Sequence, residues 1–147
     1  MLGTLQSSCA GEPNGMTSVT DIAGQHIADF VASLPATYGH LFDADAALEH
    51  AAIVARRSAS IHMELWRVLP GGLSVLCLVA DDRAGLLAAV SSALTEAGLL
   101  IDGAQIFTRR QSPLNEAIDF FWVRPHESVS VPEAISIALR LLRERMQ

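Results

Sequence analysis

The chain has 147 residues, half of them hydrophobic and 5% aromatic, with a formal net charge of −6. That length suits one domain with an extension, and it buries roughly two thirds of the unfolded surface, so a mostly aliphatic core needs no disulfide or metal staple. All basic residues are arginines and are scattered apart from Arg140, Arg143 and Arg145, which argues against a nucleic-acid surface; no run approaches the ~20 apolar residues of a membrane span.

Residues 1–17 are rich in Gly, Ser, Thr and Asn. They lack a basic, apolar secretory signal and offer little apolar surface to offset ordering entropy, so disorder is expected. Cys9 and Cys77 make no metal or disulfide spacing, which suits a reducing cytoplasm.

Thr20–Ser33 has Ile22, Ile27, Phe30, Val31 and Leu34 at helical spacing, and Pro35 marks its end. Tyr38–Phe42 reads as a connector. Asp43–Arg57 reads as a second helix, capped by Asp43, with Leu48, Ala51, Ala52 and Ala55 as a narrow apolar stripe.

At Ser60 the period changes. Ile61, Met63 and Leu65 alternate with His62, Glu64 and Trp66, the pattern of a half-buried strand. Pro70-Gly71-Gly72 is a turn, and Leu73–Ala80 is apolar on both faces, as a central strand must be. The two segments predict an antiparallel hairpin.

Asp81-Asp82-Arg83-Ala84-Gly85 is a charged turn leading into a helix. Leu86, Leu87, Val90, Ala93, Leu94 and Ala97 form the inward side of that helix, and Gly98 ends it. Leu100–Arg109 and Ala117–Val123 are strands; Ile118, Phe120 and Trp122 share a face of the second. Ser130 and Glu133 have capping-box spacing before a last helix that buries Ile135, Ala138, Leu139 and Leu142.

The order from Ser60 onward is ββαββα. A ferredoxin-like domain runs βαββαβ, and there is no room here for its final strand. Ser60–Leu69 can take that place beside Leu73–Ala80.

Asp82-Arg83-Ala84-Gly85-Leu86-Leu87, then Gly98, Ala104-Gln105-Ile106-Phe107-Thr108-Arg109 and Ile118-Asp119-Phe120-Phe121-Trp122-Val123 resemble an ACT domain. Within that family the similarity is to the ACT region at the C-terminal end of bacterial PII uridylyltransferases. It covers roughly residues 60–146, and more weakly the helical stretch around Phe30–Tyr38. The resemblance implies an α+β, ferredoxin-like ACT domain over residues 59–147, its N-terminal strand replacing the last one. Two helices in 18–58 and a disordered 1–17 precede it. It also implies a regulatory role in nitrogen metabolism, with an amino acid such as glutamine bound between two copies. The nucleotidyl-transfer and phosphohydrolase motifs of the parent enzymes are not in this sequence. Two positions depart from the family pattern: Ala84 replaces a usual Pro, and Leu100 replaces an Asn that can hydrogen-bond the ligand.

The residues carry a physical reading of their own. Free N–H groups at Ala84, Gly85 and Leu86, at the start of a helix, favour a carboxylate, and Gly85 lets a ligand approach the backbone. The competing reading has Asp81 or Asp82 capping the helix. The expected ligand-binding set is Asp82, Arg83, Ala84, Gly85, Leu86 and Leu87, with Leu100 and Ile101 from the following strand.

No catalytic, metal or cofactor site is expected. His26, His40, His50, His62 and His126 are dispersed over different elements. Asp119, alone in an apolar strand, reads as an outward-facing residue beside the Arg110 loop. The expected partner is a second copy, contacted through the strand Leu100–Arg109 and the helix Leu86–Ala97; the alternative is a ligand-free dimerisation or protein-interaction module. Neither nucleic acid nor membrane is expected as a partner, and the expected compartment is the cytoplasm.

Overall fold

The pattern of apolar residues that predicts a central hairpin is realised in the computed structural model, which describes residues 19–146. The expectation for residues 1–17 lies outside the described residues. Strand β1 (Ile61–Leu69) pairs antiparallel with β2 (Leu73–Asp81). The turn between them uses Gly71 at φ 80° and Gly72 at φ 78°, a region that side chains other than glycine rarely adopt. Strands β3 (Leu99–Arg109) and β4 (Glu116–Pro125) form a second antiparallel pair, and β4 lies against β2. The result is a four-stranded antiparallel sheet in the order β1-β2-β4-β3. Serine to alanine, residues 74–80 of β2 are all buried, as expected of a strand packed on both faces.

Each face of the sheet has its own core. On one face α4 (Leu86–Glu96) and α5 (Val131–Arg145) pack through Leu86, Val90, Leu94, Ile135, Ala138 and Leu142 onto Met63, Leu76, Leu78, Phe121 and Val123. Gly98 closes α4 at φ 98°, with Val129 so near that a Cβ would meet it at 2.9 Å. Ser130 caps α5, its Oγ accepting from the Glu133 N–H.

The opposite face is covered by α1 (Val19–Ala32), α2 (Ala36–Leu41) and α3 (Ala44–Ala55). Phe30, Leu34, Tyr38, Ala47 and Ala51 pack there on Val75, Cys77, Val79, Phe107 and Phe120. Five helices and four strands are thus present among the described residues, an α+β architecture. None of these helices is long and apolar enough to cross a membrane.

Three local readings need correction. Tyr38–Phe42 is not a connector: Ala36–Leu41 is helical, entered from an extended Pro35. Six residues are too few to show a period, and it is the inward Tyr38 that anchors them. In α3 the buried side is Ala46, Ala47, His50, Ala51 and Ile53, while Leu48 is 53% exposed. Counting His50 as polar displaced the stripe. Leu87 does not face the sheet; it is 46% exposed on the outer side of the first turn of α4.

The helical layer is fastened to the sheet by charge. Glu116 accepts from Arg57 Nη1 at 2.5 Å and from Arg109 Nη1 at 2.9 Å, and Arg57 also pairs with Asp81. Arg109 donates in addition to Ser33 Oγ at 2.7 Å and lies over the Phe30 ring. The cluster ties the end of α1 and the chain after α3 to the ends of β2, β3 and β4. Two cations meet two anions, so its buried members are compensated.

Candidate functional site

The turn that leaves β2 is held by its backbone rather than by a capping side chain. Asp82 N–H donates to Asn115 O at 2.9 Å, and Leu86 N–H donates to Arg83 O at 3.2 Å. Gly85, at φ 82°, is the residue preceding α4, and no side chain caps the helix. Neither Asp81 nor Asp82 therefore takes the capping role: Asp81 is engaged by Arg57. Of the three amides expected to be free, Leu86 N–H is used, whereas those of Ala84 and Gly85 have no acceptor among the described residues, nor do those of Leu87 and Ala88. Orphan donors of this kind are general at helix starts.

A bulge in β3 gives this turn a cavity to open on. The register with β4 shifts between Ile101 and Gly103, so the alternation of side chains is re-phased. Leu99 packs in the core under α4 and α5, and Phe107 packs in the opposite core. Ile106 and Thr108 then lie on the α4 side, where the helix leaves the second half of β3 uncovered. A cavity of about 210 Å³ lies there, between the turn and the first residues of α4 on one side and Ile106, Thr108, Ala117 and Asp119 on the other.

Of the expected ligand-binding residues, Asp82, Arg83, Gly85, Leu86 and Leu87 line this cavity; Ala84 lies in the turn without lining it. Leu100 and Ile101 do not join them within one chain. They pair with Arg124 and Val123 at the other end of β3, roughly 20 Å along the strand from Ile106. Arg83 directs its guanidinium away from the cavity, donating to Met146 O at 2.9 Å and standing 3.9 Å from the Asp81 carboxylate.

Asp119 is the residue that the sequence reading misplaced. It is 1% exposed and forms part of the cavity wall rather than facing outward. Its Oδ1 accepts a long bond, 3.4 Å, from Phe107 N–H, and Oδ2 has no partner among the described residues. Burial pushes the carboxyl up to about 7 from an ordinary 3.8; the Phe107 amide opposes the rise and the nearby Asp82 adds to it. The clue available in the sequence was that Ala117, Phe121 and Val123 share its side of the strand, so both faces of β4 are apolar.

A second buried polar pair lies under the other face. Tyr38 Oη and His50 Nδ1 are 2.6 Å apart within a cage of Phe42, Trp66 and Phe120, and His50 Nε2 has no partner among the described residues. Burial holds His50 near 4, well below 6.5, so the ring is neutral. Burial also pushes the Cys77 thiol up, away from reactivity. No histidine lines the Asp119 cavity, and no group of three His, Cys, Asp or Glu among the described residues is placed to hold a metal.

No family model matches this chain, and comparison with curated proteins finds no match either.

Proposed function

We propose that this chain is a non-catalytic, ACT-type regulatory module that homodimerises and binds a small ligand, an amino acid such as glutamine, beside the Asp82–Leu87 turn. The observation that carries the reading is the uncapped start of α4, whose free amides border a cavity under the exposed half of β3. Amides and helix dipole together favour a ligand carboxylate. The sheet order supports the family reading. Without β1 the elements run β-α-β-β-α, and β1 lies beside β2, the position that the last strand holds in a ferredoxin-like domain. Pairing of two copies along β3 would close the cavity mouth and would bring the partner's chain toward a turn that Leu100 and Ile101 of the same chain do not reach.

One feature favours an assembly module without a ligand. Leu87, Leu100 and Ile106 are 46%, 48% and 44% exposed, an apolar set suited to contact with another chain. Sedimentation at micromolar concentration and calorimetry with glutamine and other amino acids separate the readings. A dimer that gives heat with an amino acid supports sensing. A dimer with neither heat nor a melting shift at millimolar ligand supports assembly alone, and a monomer rejects both.

A further inference from the structure

We propose that Asp119 is a specificity-determining residue of the cavity beside α4: its free oxygen accepts hydrogen bonds from the ammonium group of a ligand, and binding is thereby coupled to the release of a proton. The proposal rests on the ligand-binding reading above and adds to it the group that the ligand must carry.

The first observation is the poor satisfaction of a buried acid. A carboxyl kept only for structure is bonded on both oxygens, because a buried polar atom without a partner is costly. Asp119 has one contact of 3.4 Å, and its other oxygen has no partner among the described residues; unlike His50 Nε2, that oxygen is not closed off from solvent and is reached from the cavity. It lies in the wall of a cavity of about 210 Å³, so the empty valence faces space that a ligand can fill.

The second observation is the balance of charge. The cavity holds two acids, Asp82 and Asp119, and one cation, Arg83. Arg83 is committed to Met146 O and to the side of Asp81. A bare carboxylate would therefore find amides at the helix start but acids around them. A bare amine would leave the amides empty. A zwitterion answers both, with its carboxylate at the amides and its ammonium at Asp119, while Leu86, Leu87 and Ile106 supply apolar wall for a side chain.

The proton coupling follows from the same geometry. An ammonium needs Asp119 ionised, and burial holds the neutral form up to about pH 7, so binding below that pH expels a proton. The charged group facing Asp119 is Asp82, from the turn; Arg83 of the same turn borders the cavity but points its guanidinium to Met146 O. The neighbours of Asp119 on β2 and β3, Leu78 and Ile106, and the cavity residues Leu86 to Ala88 of α4 do not titrate.

The test is calorimetry of the full chain with three probes of one shape: L-leucine, 4-methylpentanoate, which lacks the amine, and 3-methylbutylamine, which lacks the carboxylate. At about pH 8, leucine is expected to bind about tenfold or more tighter than 4-methylpentanoate, the scale of one charge-assisted hydrogen bond. Leucine affinity is expected to fall by about tenfold at pH 6, with proton release visible in buffers of different ionisation enthalpy. Asp119→Asn is expected to lose the preference for leucine and to keep the affinity for 4-methylpentanoate; its melting curve shows that it folds, and the probe series on the unmodified chain does not depend on it. Equal affinity of the unmodified chain for leucine and 4-methylpentanoate overturns the role of Asp119 and leaves carboxylate binding standing. Absence of heat from all three probes at about 10 mM overturns the ligand reading as well.

Discussion

Asp119→Asn also makes a stability prediction that needs no ligand. In the unfolded chain the carboxyl ionises near 3.8; in the fold, burial holds it neutral up to about 7. The folded state therefore binds more protons than the unfolded state between these values, and stability falls as pH rises through this window. The gap corresponds to roughly 4 kcal/mol at 1.36 kcal/mol per pH unit, a ceiling that water entering the cavity will lower to about 2–4 kcal/mol. Asparagine is nearly isosteric, keeps an oxygen for the Phe107 N–H and carries no charge. The variant should match the unmodified chain at about pH 4 and exceed its stability by about 2–4 kcal/mol at pH 8, measured by urea unfolding at each pH. The comparison has to be a difference. His50 is depressed to about 4 from 6.5, so its contribution falls as pH drops through that overlapping window and opposes the Asp119 slope. Both proteins contain His50, and subtraction removes it. A difference between variant and parent that stays constant within about 0.5 kcal/mol from pH 4 to pH 8 would refute the buried-carboxyl account.

Four further perturbations read other parts of the structure. Tyr38→Phe removes the hydroxyl that meets His50 Nδ1 and leaves that nitrogen buried without a partner; urea unfolding should show a loss of about 1–3 kcal/mol. Glu116→Gln strips the anion shared by Arg57 and Arg109 and should cost about 3–5 kcal/mol, with little relief from added salt because the site is nearly closed to solvent. Gly98→Ala should lower the melting temperature more than Gly85→Ala. Both positions have positive φ, costing about 1–2 kcal/mol for a side chain, but only at Gly98 does the new Cβ collide with Val129. Leu100→Glu, at an exposed position of β3 opposite Arg124, should change unfolding stability by less than about 0.5 kcal/mol yet convert the proposed dimer to a monomer in sedimentation; an unchanged dimer would remove β3 from the interface.

How much could be read in advance depended on whether a segment speaks through its period. β1 alternates over several residues and ends at Pro70-Gly71-Gly72, so both its existence and its partner were legible. β2 is apolar throughout, and centrality followed. Polar residues inside the core were not legible, since a pattern that equates polar with outward places His50, Asp119 and Glu116 on the surface. All three are buried, and each is compensated by something remote: Tyr38 for His50, Arg57 and Arg109 for Glu116, and for Asp119 only an amide across the strand pair. Arg57 and Glu116 are 59 positions apart, a distance over which no local rule acts. The turn Asp82–Leu87 was legible because its chemistry is local. The cavity beside it was not, because it depends on a bulge that turns Ile106 rather than Phe107 toward α4.

The two helical layers narrow the choice of surface for a second copy. α1 to α3 cover one face of the sheet and α4 with α5 the other, leaving the outer edges of β1 and β3. An open strand edge invites pairing unless bulges or charges disturb it. β1 has both defences: its register breaks at Trp66, and Arg56–Glu64, Arg67–Glu49 and His62–Glu64 contacts crowd it with charge. β3 has its bulge near one end, before Gly103. From Gly103 to Thr108 it is regular and, apart from Phe107, carries no charge and no inward anchor: Gly103, Ala104, Gln105, Ile106 and Thr108. The undefended stretch is also the one that walls the Asp119 cavity. An added strand there would desolvate Asp119 further and favour its neutral form, unless a ligand ammonium balances the charge. In the proposed dimer, assembly and ligand therefore act on the same carboxyl. Dimerisation should strengthen amine binding at pH 8, where contact with the partner excludes competing water, and a monomer made by Leu100→Glu, on β3 but outside the cavity, should bind L-leucine more weakly than the parent does. Equal affinity in the two would separate the cavity from the interface.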